Sequence, residues 1–330
     1  MNQMARLLSS FDRKLMFAAA LGVAGLLLSA AERAAAQPVV PGTGYAIPLG
    51  GDDFEDPKWN FRLALPKSSE EQDKIQRLPG GISANGRWQE SALRGEPDLI
   101  RRVPTPEGGL PGSTGAMMIR TKNSGVPDAP SGENRQDDLL FNFRSEFGNQ
   151  LPVSMTPSVV VRVYMPPFGD PVWERRYGNS FGFRAGCRTT TTKTTQGKGF
   201  FARPVTETKI EPYWPGMFIC FVPKTDKTKA DSAVILIRSD HMGRDMYGPR
   251  ITETGWWTLG MSFTPDGKVH YYAHAGVENL TAKDLIGSYF PYQFRCEYFQ
   301  TFFFDLINRD DGTTWSTPWI VDDPQVYVVR

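Results

Sequence analysis

Over most of the chain beyond residue 115, apolar and polar side chains alternate with a period of two, the spacing at which successive residues of a β-strand face opposite ways. Runs rich in Val, Ile, Phe, Tyr and Trp, each bounded by Gly, Pro or Asp, predict strands over Ala116–Thr121, Leu139–Phe143, Ser158–Met165, Asn179–Gly186 and Met217–Val222. The same pattern predicts Ala233–Arg238, Trp256–Thr264, Lys268–His274, Thr301–Ile307 and Trp319–Val329. Pro265-Asp266-Gly267 joins two of these as a hairpin, because Pro presets one turn dihedral and Gly supplies a positive φ. Strands in series with no helical period between them predict an all-β fold of two stacked antiparallel sheets with long loops.

The alternation also assigns faces. In Ser158–Met165, Val159, Val161, Val163 and Met165 oppose Val160, Arg162 and Tyr164. Phe181, Phe183 and Ala185 oppose Ser180, Gly182 and Arg184, while Val269, Tyr271 and Ala273 oppose His270, Tyr272 and His274. One apolar face and one carrying Arg, Tyr and His is the signature of a sheet wetted on one side.

Ahead of these strands, residues 51–135 are irregular, with turn markers such as Pro79-Gly80-Gly81 and Asn85-Gly86. A short helix is predicted over Ser68–Arg77, capped by Ser69 ahead of Glu70 and Glu71. The threonine tract Thr189–Thr195 falls in a predicted loop of about 30 residues, a length usually tied to function or disorder. Its neighbours Lys193, Lys198, Arg203, Phe200, Phe201 and Trp214 would make a basic, aromatic cover for a ligand groove.

Residues 1–36 have the order of a secretory signal: basic Arg6, Arg13 and Lys14, an apolar run from Leu15 to Leu28, and Ala34-Ala35-Ala36 before Gln37. About 14 apolar residues fall short of the roughly 20 that cross a bilayer. The mature chain is therefore expected to be secreted, periplasmic or at the cell surface, with no membrane span after cleavage. Residues 37–50 read as a linker and 51–330 as one domain.

Composition narrows the class. Charged residues at 22% and hydrophobic ones at 40% exclude wholesale disorder. A formal charge of +1 lacks the basic excess of a phosphate-reading domain, so a nucleic-acid partner is not expected. Cys187, Cys220 and Cys296 permit one disulfide and one thiol in any of three pairings, and none belongs to a C-x-x-C motif.

Three stretches resemble the concanavalin A-like lectin/glucanase (laminin-G-like) jelly rolls: Asp52-Asp53-Phe54-Glu55-Asp56-Pro57-Lys58-Trp59, Gly255–Phe263 followed by Pro265–Tyr272, and Trp319–Tyr327. The insert between Ile82 and Gly115 departs from a minimal module of that kind. The resemblance implies that first and last strands are neighbours, bringing Asp52, Asp53 or Glu55 near Asp322 or Asp323. Such a set could hold a structural Ca2+, the expected cofactor, through hard oxygen ligands; the same acids equally suit solvated strand ends.

Two functional classes follow. Trp256, Tyr272, Tyr164 and Trp214, with Arg162, Arg184, His270 and His274, offer rings for sugar C–H faces and polar partners for hydroxyls. That makes recognition of an extracellular polysaccharide, neutral or anionic, the leading expectation, without catalysis. The enzymatic alternative resembles jelly-roll polysaccharide lyases. There Arg162 and Arg184 would offset a uronate carboxylate, His270 would take the adjacent proton and Tyr272 would protonate the leaving oxygen. The expected lyase motifs Arg-x-Glu-x-Arg, Gln-Ile-His and Tyr-x-Lys-x-Gly are absent, as is the laminarinase-type Glu-x-Asp-x-x-Glu. A third reading is an envelope or matrix protein that packs against protein partners.

Overall fold

A computed structural model describes residues 36–176, 178–195, 204–226 and 228–329. The signal segment through residue 35, and Lys198, Phe200, Phe201 and Arg203, lie outside the described residues. In chain order the first strands are β1 (Tyr45–Gly51), β2 (Phe61–Arg62), β3 (Ile82–Ser83), β4 (Trp88–Glu90), β5 (Leu99–Pro104), β6 (Gly115–Arg120) and β7 (Asn134–Phe141). They are followed by β8 (Leu151–Pro152), β9 (Ser158–Met165), β10 (Ser180–Thr195), β11 (Val205–Tyr213), β12 (Gly216–Val222) and β13 (Ser232–Arg238). The last are β14 (Asp245–Ile251), β15 (Gly255–Phe263), β16 (Val269–Ala275), β17 (Leu285–Tyr289), β18 (Tyr298–Arg309) and β19 (Trp319–Val328).

These strands form two antiparallel sheets in a jelly-roll sandwich. The first runs β17-β16-β15-β9-β19-β6-β5, with β1 beside β19. The second runs β14-β13-β12-β10-β18-β7-β4-β3-β2, with β11 added to β10 and β8 to β18. First and last strands are thus neighbours, and every strand predicted from the alternation is present.

The core lies between the sheets. Val159, Val161, Val163 and Met165 of β9 face Phe181, Phe183 and Ala185 of β10 within one cluster of buried side chains. Trp88 centres an aromatic group, stacked on Phe304 at 5.2 Å and edge-on to Phe141 at 5.2 Å. Such contacts add to the hydrophobic term because ring edges and faces carry opposite partial charge.

Two local expectations are corrected. The threonine tract is not a loop: Thr189–Thr195 continue β10 and pair residue for residue with Glu211–Val205 of β11. Threonine's branched Cβ favours this extended pairing. The predicted helix is a single turn, α1 (Glu70–Asp73), and the Ser69 side chain makes no cap bond; its hydroxyl instead accepts from Arg77 Nη1 at 2.8 Å. Cys187, Cys220 and Cys296 are all buried, each with its sulfur unlinked here.

The outer face of the first sheet is covered. Val39 O accepts from Ser262 Oγ at 2.6 Å, Gly42 N donates to Ser158 Oγ at 3.3 Å, and Pro41 lies over Gly260. Leu280 packs from the other side on Val160 and Tyr272. Residues 39–42 of the expected linker thus act as a strap across this sheet, which explains why β9 is buried on both faces, whereas its last residues are not linker but strand β1, paired with β19.

Candidate functional site

The residues expected to share one ligand face divide between two sheets. Arg162, Tyr164, Trp256, His270, Tyr272 and His274 stand on the outer face of the first sheet, where Trp256 lies against residues 106–109. Arg184 and Trp214 belong to the second sheet. Arg162 is 7% exposed, His270 1% and Tyr272 1%, so these three do not line an open groove.

Four of these side chains are held by hydrogen bonds. Arg162 donates to Val277 O at 3.3 Å and Asn279 Oδ1 at 3.1 Å. The His270 ring sits between Thr264 Oγ1 at 2.8 Å and Ser288 Oγ at 2.7 Å. Burial pushes its pKa down to about 4, so the ring is neutral at pH 7. Trp256 Nε1 donates to Pro106 O at 3.3 Å, and its ring lies edge-on to Tyr164 at 5.5 Å. His274 Nδ1 meets Asp284 Oδ1 at 2.9 Å.

The expected metal ligands are likewise engaged. Asp52 Oδ2 accepts from Trp59 Nε1 at 3.0 Å, Trp88 Nε1 at 2.9 Å and Asn85 Nδ2 at 2.9 Å. Asp53 Oδ1 accepts from Glu55 N at 3.2 Å, and Glu55 accepts from the Thr114 and Gly115 amides. Asp322 accepts from Ser113 Oγ at 2.8 Å, and burial raises its carboxyl to about 7. Asp323 is raised to about 6 by burial, with the charges of Asp53 and Glu55 adding to the effect. Among the described residues, no group of three or more His, Cys, Asp or Glu side chains is arranged to hold a metal ion.

The second sheet is different. On its outer face β10, β18 and β7 place Arg184 opposite Phe303, Gly186 opposite Thr301, and Asp305 between Gly182 and Asp138. Arg184 Nη1 pairs with Asp305 Oδ2 at 3.1 Å, while Nη2 donates to Trp214 O at 3.1 Å. Its guanidinium lies over the Phe218 and Phe303 rings at 5.5 and 5.2 Å. Arg184 therefore holds the backbone that carries Trp214.

Beside it, Arg94 pairs with Asp138 at 3.7 Å and with Glu71 of α1, and Gln136 Nε2 donates to Asp138 Oδ1 at 2.7 Å. Burial raises both neighbouring carboxyls, Asp138 and Asp305; the charge of Asp138 lifts Asp305 further, and the two arginines oppose the rise. Adjacent acids in a dry setting favour holding a proton between them.

Above this floor opens a cavity of about 210 Å3, bordered by Glu71, Arg94, Asp138, Trp214, Thr301 and Phe303. Trp214 is 38% exposed. Gly186 is also on its border, and a Cβ there would stand 3.2 Å from Thr301 Cγ2. Glu71 and Arg94 are shared with a hollow of about 490 Å3 towards Asn134–Gln136, and Leu140 with one of about 530 Å3 towards Arg77 and Gln89.

Arg94, Asp138, Asp305 and Phe303 were not singled out from the sequence. Asp305 had a legible signal: a lone acid within Phe302-Phe303-Phe304-Asp305-Leu306, where alternation sets Phe303 and Asp305 on one face. Asp138 fell one residue before a strand expected to begin at Leu139. Arg94 sits in an irregular insert, and no local pattern points to it.

No protein-family model and no curated protein matches the chain. Among solved structures, an alginate lyase of Pseudomonas aeruginosa is similar at 10% identity and a TM-score of 0.36, over 82% of this chain and 97% of that one. An endo-β-1,4-glucuronan lyase of Trichoderma reesei is similar at 10% identity and a TM-score of 0.31, over 70% and 90%. Peanut lectin is similar at 8% identity and a TM-score of 0.31, over 70% and 98%. These values assign the chain to none of those families.

Proposed function

We propose that the outer face of the second sheet is a carbohydrate-binding groove, and that the exported protein recognises an extracellular glycan without cleaving it. One observation carries this reading: the part-exposed Trp214 and the Phe303 ring border a largely apolar cavity, with Leu93 and Leu140, into which the fixed polar groups of Arg94, Asp138, Glu71 and Thr301 also face. Sugar rings lie on aromatic faces through their C–H groups, and their hydroxyls bind polar groups already held in place. Both arginines are already paired with acids, which favours a neutral, hydroxyl-rich chain over a uronate.

Recognition is favoured over β-elimination because the residues the elimination needs are apart. Arg184 lies on one sheet; Arg162, His270 and Tyr272 lie under cover on the other. A glycan array probed with the full chain is the direct test, with Trp214→Ala as the comparison. Binding lost in the variant while its melting temperature holds supports the groove. Binding unchanged in Trp214→Ala, or no glycan bound at all, overturns it. A rise in absorbance near 235 nm with any uronate polymer would establish the lyase instead.

A further inference from the structure

Of the three cysteine pairings open to the chain, the fold leaves one. Cys220 lies on β12 opposite Ser180, and Cys187 lies on the same strand as Ser180 but seven residues further along. At ~3.3 Å per residue that is a separation of roughly 23 Å, far beyond the ~7 Å between Cα atoms that a disulfide spans. Cys296 lies at the Cys187 end of the sheet, so Cys220 is out of its reach as well. Cys220 also points away from the core, whereas Cys187 and Cys296 belong to the core cluster.

Cys187 and Cys296 are neighbours. Cys187 stands opposite Phe299 of β18, and Glu297 N donates to Arg188 O at 2.9 Å, which draws residue 296 alongside β10. Both side chains are buried, and the Cys296 sulfur lies near enough to the Cys187 thiol to add to the upward shift that burial imposes on it.

We propose that Cys187 and Cys296 are the site of an intramolecular disulfide, formed during folding by exchange with a small-molecule or protein disulfide, and that Cys220 remains a thiol. In the exchange one cysteine thiolate attacks the oxidant's S–S bond, giving a mixed disulfide and releasing one thiol. The second cysteine thiolate then displaces the other oxidant thiol. The two cysteines lose two electrons and two protons, and the oxidant disulfide becomes two thiols. Because both sulfurs are buried in the finished sandwich, the exchange precedes closure of the sheets. The link would tie the segment after residue 290 to β10 one residue beyond Gly186, beneath the groove.

The test is refolding of the reduced, denatured full chain in a buffer of reduced and oxidised glutathione. Remaining thiols are then alkylated in denaturant and the peptides mapped by mass spectrometry. The expected result is a Cys187–Cys296 linked peptide with only Cys220 alkylated, and the same link in Cys220→Ser. A melting temperature lowered by several degrees on addition of dithiothreitol, in wild type and Cys220→Ser alike, accompanies it, since closing so long a loop restricts the unfolded chain. Three alkylated cysteines, or a link that includes Cys220, overturn the proposal. The outcome is independent of glycan binding, so its failure and that of the groove are separable.

Discussion

Arg184→Leu isolates the charged floor of the groove. Arg184 is 3% exposed and Asp305 0%, so solvent does little to screen their 3.1 Å contact. Removing one member of a buried pair costs ~3–5 kcal/mol, mostly from the charge left behind. Two features of this site bound the figure. Arg94 remains to offset part of the Asp305 charge, and that carboxyl, already raised by burial and by Asp138, can take up a proton. At pH 8 the expected loss is ~3–4 kcal/mol. At pH 5 the acid is neutral, and the loss reduces to the hydrogen bonds to Asp305 and Trp214, ~2 kcal/mol at ~1 kcal/mol each. Adding Asp305→Asn to the leucine variant removes the stranded charge and should recover at least ~1 kcal/mol at pH 8. Urea unfolding at both pH values measures all of this. A loss below about 1 kcal/mol at pH 8, or one that does not change with pH, would refute the view that a compensated charge supports the groove.

Other perturbations follow from the same geometry. Trp214→Ala should abolish glycan retention with little change in melting temperature. Glu96 is buried against Gly81, with Oε2 unpartnered, and burial, aided by the charge of Glu90, raises it from 4.5 to about 8. Between those values the unfolded chain has released a proton that the fold retains, so stability falls as pH rises from about 4.5 to 8 and then levels off. Glu96→Gln should shrink the difference between urea midpoints at pH 5 and pH 8; Asp137, raised by burial to about 7, keeps part of it. In Gly260→Ala a Cβ would stand 2.5 Å from Leu280 Cδ1 and 2.8 Å from Pro41. A cost of ~1–3 kcal/mol is expected, with faster proteolysis at the 37–44 strap; an unaltered cleavage rate would show that the strap does not rest on this glycine.

Chemistry along the chain was sufficient to determine ten of the nineteen strands and which of their side chains share a face. Val159, Val161 and Val163, and Phe181 and Phe183, must turn inward wherever their strands lie, since a period of two leaves no other way to bury them. The Pro265–Gly267 turn was equally local, because it rests on dihedrals that Pro and Gly impose. Which face would meet solvent was not local. The polar faces of β9 and β10 look alike in sequence, yet the strap at residues 39–43 covers one and a cavity opens over the other.

The site itself was assembled only by tertiary pairing. Arg184 and Asp305 stand 121 residues apart, and Asp138 reaches Asp305 through strand register. Pairing at that separation depends on the order of strands within each sheet, which long-range packing decides and which alternation does not encode. That order also separated Arg184 from Arg162, His270 and Tyr272, and set Cys187 beside Cys296.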